Sequence, residues 1–371
     1  MLTLGTIETK GRDRMSGQEE AQAWVEELEK RLASLDRERA HVAAQLDEAR
    51  KAASALATEA ESKAASPQDA PVTMASPTVD KVALFRCLFR GREDVFPRRW
   101  DNPRSGKSGY SPVCHNEWLR GVCGKPKVKC GECPNQAFTA VTDEVVRNHL
   151  QGRDPAASGR GAGFIAGVYP LLPDETCWFL AADFDKKEWR RDVSAFLATC
   201  REKAVPAALE RSRSGNGGHV WIFFSEPVPA AEARRLGAWL ITETMERCPD
   251  IGFDSYDRFF PSQDTMPAGG FGNLIALPLQ RVPRGSDNSV FLDDAFRLYA
   301  DQWAVLSTLR RMSRSEVAAL VGEAAAAGRV LGVRLPVADE DEEPWAAPPS
   351  RRRKEEPIRD LPERVEVVVG N

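Results

Sequence analysis

The sequence predicts an α+β fold, on three observations. Cys177-Trp-Phe-Leu-Ala-Ala-Asp-Phe-Asp185 is a short apolar run of strand length, bounded upstream by Pro173-Asp174-Glu175 and downstream by Lys186-Lys187-Glu188. After it the period changes, and Trp189, Val193, Phe196, Leu197 and Cys200 line one face of a helix. A glycine-rich stretch then opens a second strongly apolar strand from His219 to Phe224. With 371 residues, 42% of them hydrophobic, the chain can bury one large or two medium cores.

Composition excludes several classes. The net charge of −4 conceals local patches and points to no partner by itself. No stretch approaches the roughly 18 uninterrupted apolar residues of a membrane span, and the N-terminus lacks a signal-peptide core, so the expected location is cytoplasmic. The eight cysteines are therefore read as thiols and metal ligands rather than as a disulfide framework.

Residues 1–16 are expected to be disordered. Residues 17–64 read as one long helix, because Val25, Leu28, Leu32, Leu35, Val42, Leu46, Ala49, Ala53 and Leu56 recur at coiled-coil spacing among charged residues. Arg39 interrupts the seam, and the pattern fits self-association or a fold-back hairpin. Residues 65–80 are small and proline-punctuated, the composition of a linker.

From Val82 the composition shifts. Leu84, Phe85, Leu88 and Phe89 form an apolar helix face, followed by a basic stretch. Between Lys81 and Cys133 stand twelve Lys and Arg against five Asp and Glu, a surplus that favours a phosphate backbone. Within it lie Cys114, Cys123, Cys130 and Cys133, the last two as Cys-x2-Cys. Two thiolates on one tight turn and two from a preceding loop suit a tetrahedral structural Zn²⁺ in a module over 110–135, with His115 an alternative to Cys114.

Thr142 caps an expected helix to Leu150, and Phe164–Tyr169 reads as a strand that pairs with the Cys177 strand through 170–175. In that strand Asp183 and Asp185 share one side, with Cα atoms roughly 7 Å apart. Two carboxylates so placed repel unless cations lie between them, and a pair of Mg²⁺ or Mn²⁺ ions about 3.5–4 Å apart suits the gap. The alternative is a solvated strand end.

In Glu210-Arg-Ser-Arg-Ser-Gly-Asn-Gly-Gly-His219, the glycines Gly215, Gly217 and Gly218 free backbone N–H groups to cradle an anion, and Arg211 and Arg213 add charge. His219, at the seam of loop and strand, is expected to contact phosphate, although hairpins use the same residues. The stretch is not a P-loop. Further on come an expected helix over 229–247, a strand-like stretch with Asp254 and Asp257, a strand over 274–279, and helices over 300–312 and 314–328. Residues 336–371 read as a charged tail, whose final run Val365–Val369 implies a continuation.

Taken in order, Asp-x-Asp at a strand end, Ser-Gly-x-Gly-Gly-His before an apolar strand and a third acid at a later strand resemble the three-motif pattern of the archaeo-eukaryotic primase superfamily, the primase-polymerases. The resemblance is closer still to the primase domain of TOTE conflict systems. It is carried by Arg-Cys-Leu-Phe-Arg-Gly-Arg92, by the cysteine cluster after Ser-Gly-Tyr-Ser-Pro-Val-Cys114, and by Tyr-Asp-Arg-Phe-Phe-Pro-Ser-Gln-Asp264 with Gly-Gly-Phe-Gly-Asn-Leu-Ile-Ala-Leu-Pro-Leu-Gln280. The resemblance implies a primase-polymerase catalytic core over 81–335 with an RRM-like sheet, beside the zinc module and the N-terminal coiled coil. It implies that Asp183 and Asp185 bind catalytic metals, that Ser214 and His219 contact an incoming nucleotide triphosphate, and that Asp257 or Asp254 supplies the third carboxylate. The implied activity is template-dependent nucleotidyl transfer on single-stranded DNA or RNA with NTP or dNTP, in a mobile-element or phage conflict system, alongside a helicase or nuclease. Two other classes compete. A metal-dependent nuclease or replication initiator would normally use paired histidines and a nucleophilic tyrosine, and a zinc-containing nucleic-acid-binding adaptor would leave the acids as surface residues.

Overall fold

A computed structural model describes residues 17–62, 70–102, 105–154, 163–248, 254–267 and 269–328. The N-terminal 16 residues, the tail 336–371 and its Val365–Val369 run lie outside the described residues. The chain divides into two units, Met1–Asp69 and Ala70–Asn371.

The first unit holds α1 (Gly17–Ser62), 46 residues of helix. Its apolar residues Val25, Leu28, Leu32, Leu35 and Val42 are exposed. None of the described helices is long and apolar enough to cross a membrane.

The second unit begins with α2 (Thr78–Leu88), then the hairpin β1 (Pro97–Asp101) and β2 (Ser108–Pro112), and α3 (Asp143–Gln151). There follow β3 (Gly167–Val168), β4 (Thr176–Phe184), α4 (Trp189–Glu202), β5 (Ala208–Arg211), β6 (Gly218–Pro229) and α5 (Ala230–Arg247). The remainder comprises β7 (Tyr256–Phe260), β8 (Ile275–Ala276), α6 (Arg281–Arg284), β9 (Val290–Leu292), α7 (Gln302–Thr308) and α8 (Arg314–Ala326). Five strands form one sheet in the order β7-β4-β6-β5-β9, antiparallel at every pairing. A mixed fold of helices packed on an antiparallel sheet is α+β.

Strand alternation sends side chains to two differently covered faces. On one, Phe184 meets Phe196 of α4 with ring centroids 5.5 Å apart, and Leu180 packs beside Gly237 of α5. On the other, Phe89, at the end of α2, sits edge-on to Trp221 at 5.0 Å and to Phe223 at 5.5 Å. The second face is thus apolar over its middle, and its polar residues gather at one end.

Local signals explain the helices that frame it. The Thr142 hydroxyl accepts the N–H of Val145, and Gly152 closes α3 in the left-handed region. Trp189, Val193, Phe196, Leu197 and Cys200 are all buried, as the helical period of α4 requires.

Several expectations are corrected. The 164–169 strand shrinks to β3 and pairs with β8, Gly167 opposite Ala276, rather than with β4. Both edges of β4 are already taken by β6 and β7. The 65–80 linker is not free over its described part: Met74 N–H donates to Asp301 at 2.7 Å and Val72 O accepts from Ser307 at 3.0 Å, which ties it to α7. The expected 300–312 helix ends at Thr308, because Met312 leaves it to exchange main-chain bonds with the Phe223–Ser225 edge of β6. The 274–279 strand narrows to β8.

Candidate active site

The register of the sheet lines up a polar row at one end of the half-covered face. Glu210 on β5 stands opposite His219 on β6, His219 opposite Asp183 on β4, and Asp183 opposite Arg258 on β7. Directly opposed residues of antiparallel strands project to the same side. The β4–β7 register then slips, with Phe184 opposite Tyr256, so Asp257 is an extra residue of β7 beside Asp183. Such bulges re-aim a side chain.

His219 is held from both sides. Its Nδ1–H donates to Glu210 Oε2 at 2.9 Å, and its Nε2 lies 3.5 Å from Asp183 Oδ1. Burial alone would push this imidazole down, but the Glu210 and Asp183 carboxylates hold it up at about 9, so it is cationic at neutral pH. Glu210 is only 2% exposed and fully engaged: Oε2 also accepts from Trp221 Nε1 at 2.9 Å, and Oε1 lies 3.4 Å from the Ser289 hydroxyl. A buried carboxylate is tolerated when it is paired and hydrogen-bonded in this way.

Asp183 feels the opposite pressure. Burial raises it first, the His219 cation pulls it down, and the charges of Asp257 and Asp185 raise it again. Asp185 and Asp257 therefore both lie close enough for their charges to bear on Asp183. Of the two candidates for the third acid, Asp257 is the one whose charge bears on Asp183; its carboxylate is held by Arg258 Nε at 2.7 Å. Asp254 is exposed, and its main-chain oxygen accepts from Lys186 Nζ at 3.2 Å. Asp185 lies just past the end of β4, exposed, with its carboxylate 3.9 Å from Lys186 Nζ and its N–H donated to Ser255 O at 2.7 Å. Only Asp183 of the pair faces His219 directly. Ser255 is buried and donates its hydroxyl to the buried Asp192 of α4, which fixes the turn that delivers Asp257.

The glycine stretch is the tip of the β5–β6 hairpin, closed by Ser212 N–H to Gly217 O at 2.9 Å and Gly215 N–H to Ser212 O at 3.0 Å. Gly215 has φ 79°, which favours glycine. Gly217 is required by contact: a Cβ there would come within 2.5 Å of Phe184 O and 3.3 Å of Asp185 Cα. The loop and the Asp-x-Asp motif thus pack directly on each other. Ser214 Oγ braces the tip, 3.1 Å from Ser212 Oγ and accepting from Asn216 N–H at 3.2 Å. Arg211 directs its guanidinium to the carbonyls of Asp287 and Phe296, at 3.1 and 3.4 Å. Arg213 is exposed and close enough to influence Tyr110 of β2.

Elsewhere Cys114, Cys123, Cys130 and Cys133 all line one small cavity of about 20 Å³. His115 turns instead toward Thr139, with Nε2 3.4 Å from its hydroxyl. Among the described residues, no group of three or more His, Cys, Asp or Glu side chains is closed into a geometry that would hold a metal ion. What recommends both clusters to a cation is donor chemistry: four thiols around one cavity, and three carboxylates whose mutual repulsion a cation would relieve.

Glu210 was the residue that motif reading missed. Its signal was available, because closing the hairpin at Ser212 and Gly217 places 211 opposite 218 and hence 210 opposite 219.

Residues 80–320 match the family described as the TOTE conflict system, Archaeo-Eukaryotic Primase domain. No curated protein matches the chain.

Proposed function

Because the chain belongs to the TOTE conflict system archaeo-eukaryotic primase domain family, we propose that it is a template-dependent nucleotidyltransferase, a DNA primase-polymerase that uses two metal ions. One observation carries this reading: Asp183 faces His219 at 3.5 Å, where the glycine hairpin packs against the Asp-x-Asp strand. Acid, histidine and glycine loop are the three features that such a transferase needs within reach of one triphosphate.

In this proposal Asp183, Asp185 and Asp257 hold Mg²⁺ or Mn²⁺. When bound, the ions would lower the pKa of the attacking hydroxyl and stabilise charge on the triphosphate and departing pyrophosphate. His219 brings a fixed positive charge to the β- and γ-phosphates, and Glu210 keeps its ring in place. Ser214, Gly215 and Arg213 present the hairpin tip to the same anion, and Gly217 and Gly218 let that tip close onto Phe184 and Glu210. Arg211 sets the position of that tip through the 287 and 296 carbonyls. The work of these residues is orientation and charge rather than covalent catalysis. Cys114, Cys123, Cys130 and Cys133 hold a structural Zn²⁺ whose module carries the basic surface toward single-stranded template, α1 supports self-association, and a helicase or nuclease acts as partner.

The test is incorporation of labelled nucleotide on single-stranded DNA with Mg²⁺ or Mn²⁺, comparing NTPs with dNTPs and primed with unprimed template. Product that depends on template supports the reading. A protein that binds template yet makes no product under any of these conditions overturns it in favour of a nucleic-acid-binding adaptor.

A further inference from the structure

Away from the carboxylates, Leu150, Gln151, Arg153, Arg281, Arg284 and Gly285 line an open cavity of about 560 Å³. Three of the six are arginines and none is acidic. The acid nearest in sequence, Asp154, is taken up by Arg98 of β1.

The basic lining is built into the fold. Arg284 donates from its terminal nitrogen to Leu150 O at 2.6 Å, at the end of α3, and its Nε is buried with no protein partner. Arg281 packs over Gly152, where a Cβ would come within 2.9 Å of the arginine's own Cβ. Burial and the neighbouring Arg281 charge both push the Arg284 guanidinium down. Holding like charges together costs free energy that an anion in the cavity would return.

One turn links the cavity to the hairpin tip. Asn288 N–H bonds back to Pro283 O at 3.0 Å, so Arg281–Asn288 is one compact turn. The far end of that turn meets the tip: Asn288 stands 2.8 Å from the Cβ position of Gly215, and Asp287 O accepts from Arg211. A strand whose reacting end lay by Asp183 could continue over the tip and reach the arginines without leaving the surface.

We propose that Arg153, Arg281 and Arg284 form a phosphate-binding pocket for the phosphodiester backbone of single-stranded nucleic acid. This rests on the transferase reading for the identity of the strand, but its test does not. Arg153 and Arg281 are exposed, so their charges can be reversed without opening the core.

Binding of a fluorescein-labelled single-stranded oligothymidylate to the full chain is followed by anisotropy over a range of salt. Arg153→Glu/Arg281→Glu should weaken binding by about tenfold or more, and loss of two phosphate contacts should make the log K against log salt slope shallower by about 1.4. The milder Arg153→Gln/Arg281→Gln should shift both quantities in the same direction by less. Unchanged affinity and slope in the charge-reversed protein would overturn the proposal. So would loss of nucleoside triphosphate binding with oligothymidylate binding intact, since the pocket would then serve a free triphosphate. Arginine-dependent binding by a protein that incorporates no nucleotide would leave the pocket standing and remove the transferase reading alone.

Discussion

His219 Nδ1 donates to Glu210 Oε2 at 2.9 Å across two neighbouring strands, and this half-buried pair aims the opposite edge of the imidazole at Asp183. The cationic state of His219 follows from Glu210 more than from any other residue. Glu210→Gln keeps the size and an acceptor but removes the charge. The His219 pKa should then fall from about 9 toward its ordinary 6.5, read by NMR titration of the ring protons. A purely structural role for Glu210 would lower stability and leave that titration in place.

Gly217→Ala tests the contact between hairpin and Asp-x-Asp strand. Its Cβ would stand 2.5 Å from the Phe184 carbonyl at the end of β4, so something must shift. We expect a loss of about 1–3 kcal/mol in chemical denaturation, the usual cost of overpacking. The same variant should displace Asp185, and with it any metal affinity that Asp185 supports.

Much of this frame was legible in the sequence. The β4 run, the start of α3 at Thr142 and the buried face of α4 follow from period and capping, which are local. β9 was not foreseen, because Val290–Leu292 is too short to show a period. The β3–β8 pairing joins residues more than a hundred positions apart in a register that no local signal encodes. The glycines were read as a phosphate cradle, yet composition does not distinguish a glycine that admits a ligand from one that admits a carbonyl, and Gly217 admits Phe184 O. Glu210 and His219 meet through hairpin register, which is local, whereas Asp183 meets His219 through the non-local β4–β6 pairing and Asp257 comes beside Asp183 through a bulge.

His149 predicts a pH dependence of stability. It is buried between α3 and the β3–β8 pair, with Nε2–H donated to Pro278 O at 2.8 Å and Nδ1 accepting Ala166 N–H at 3.1 Å. Burial pushes it from 6.5 to about 4, since a second ring proton would face a donor. The folded pKa is depressed, so this contribution is fully present above 6.5 and is lost as pH falls from 6.5 to about 4. Urea melts over that window should lose up to about 1.4 kcal/mol per pH unit, a slope that His149→Gln should flatten.

The four-cysteine cavity predicts one zinc per chain in protein purified without chelator, measured by elemental analysis. Cys130→Ser should lose the metal and loosen the module, seen as faster proteolysis between Cys114 and Cys133. Metal-free protein with an unchanged digestion pattern would remove Zn²⁺ from the account.

The most direct test of the central claim is nucleotide incorporation on single-stranded DNA by the unmodified protein beside Asp183→Asn, with Mn²⁺ or Mg²⁺ and matched thermal stability. The first should give template-dependent product and the second at least about a thousandfold less, with oligothymidylate binding retained. Equal incorporation by the two proteins would contradict it, because the carboxylate that faces His219 would then have no part in the chemistry.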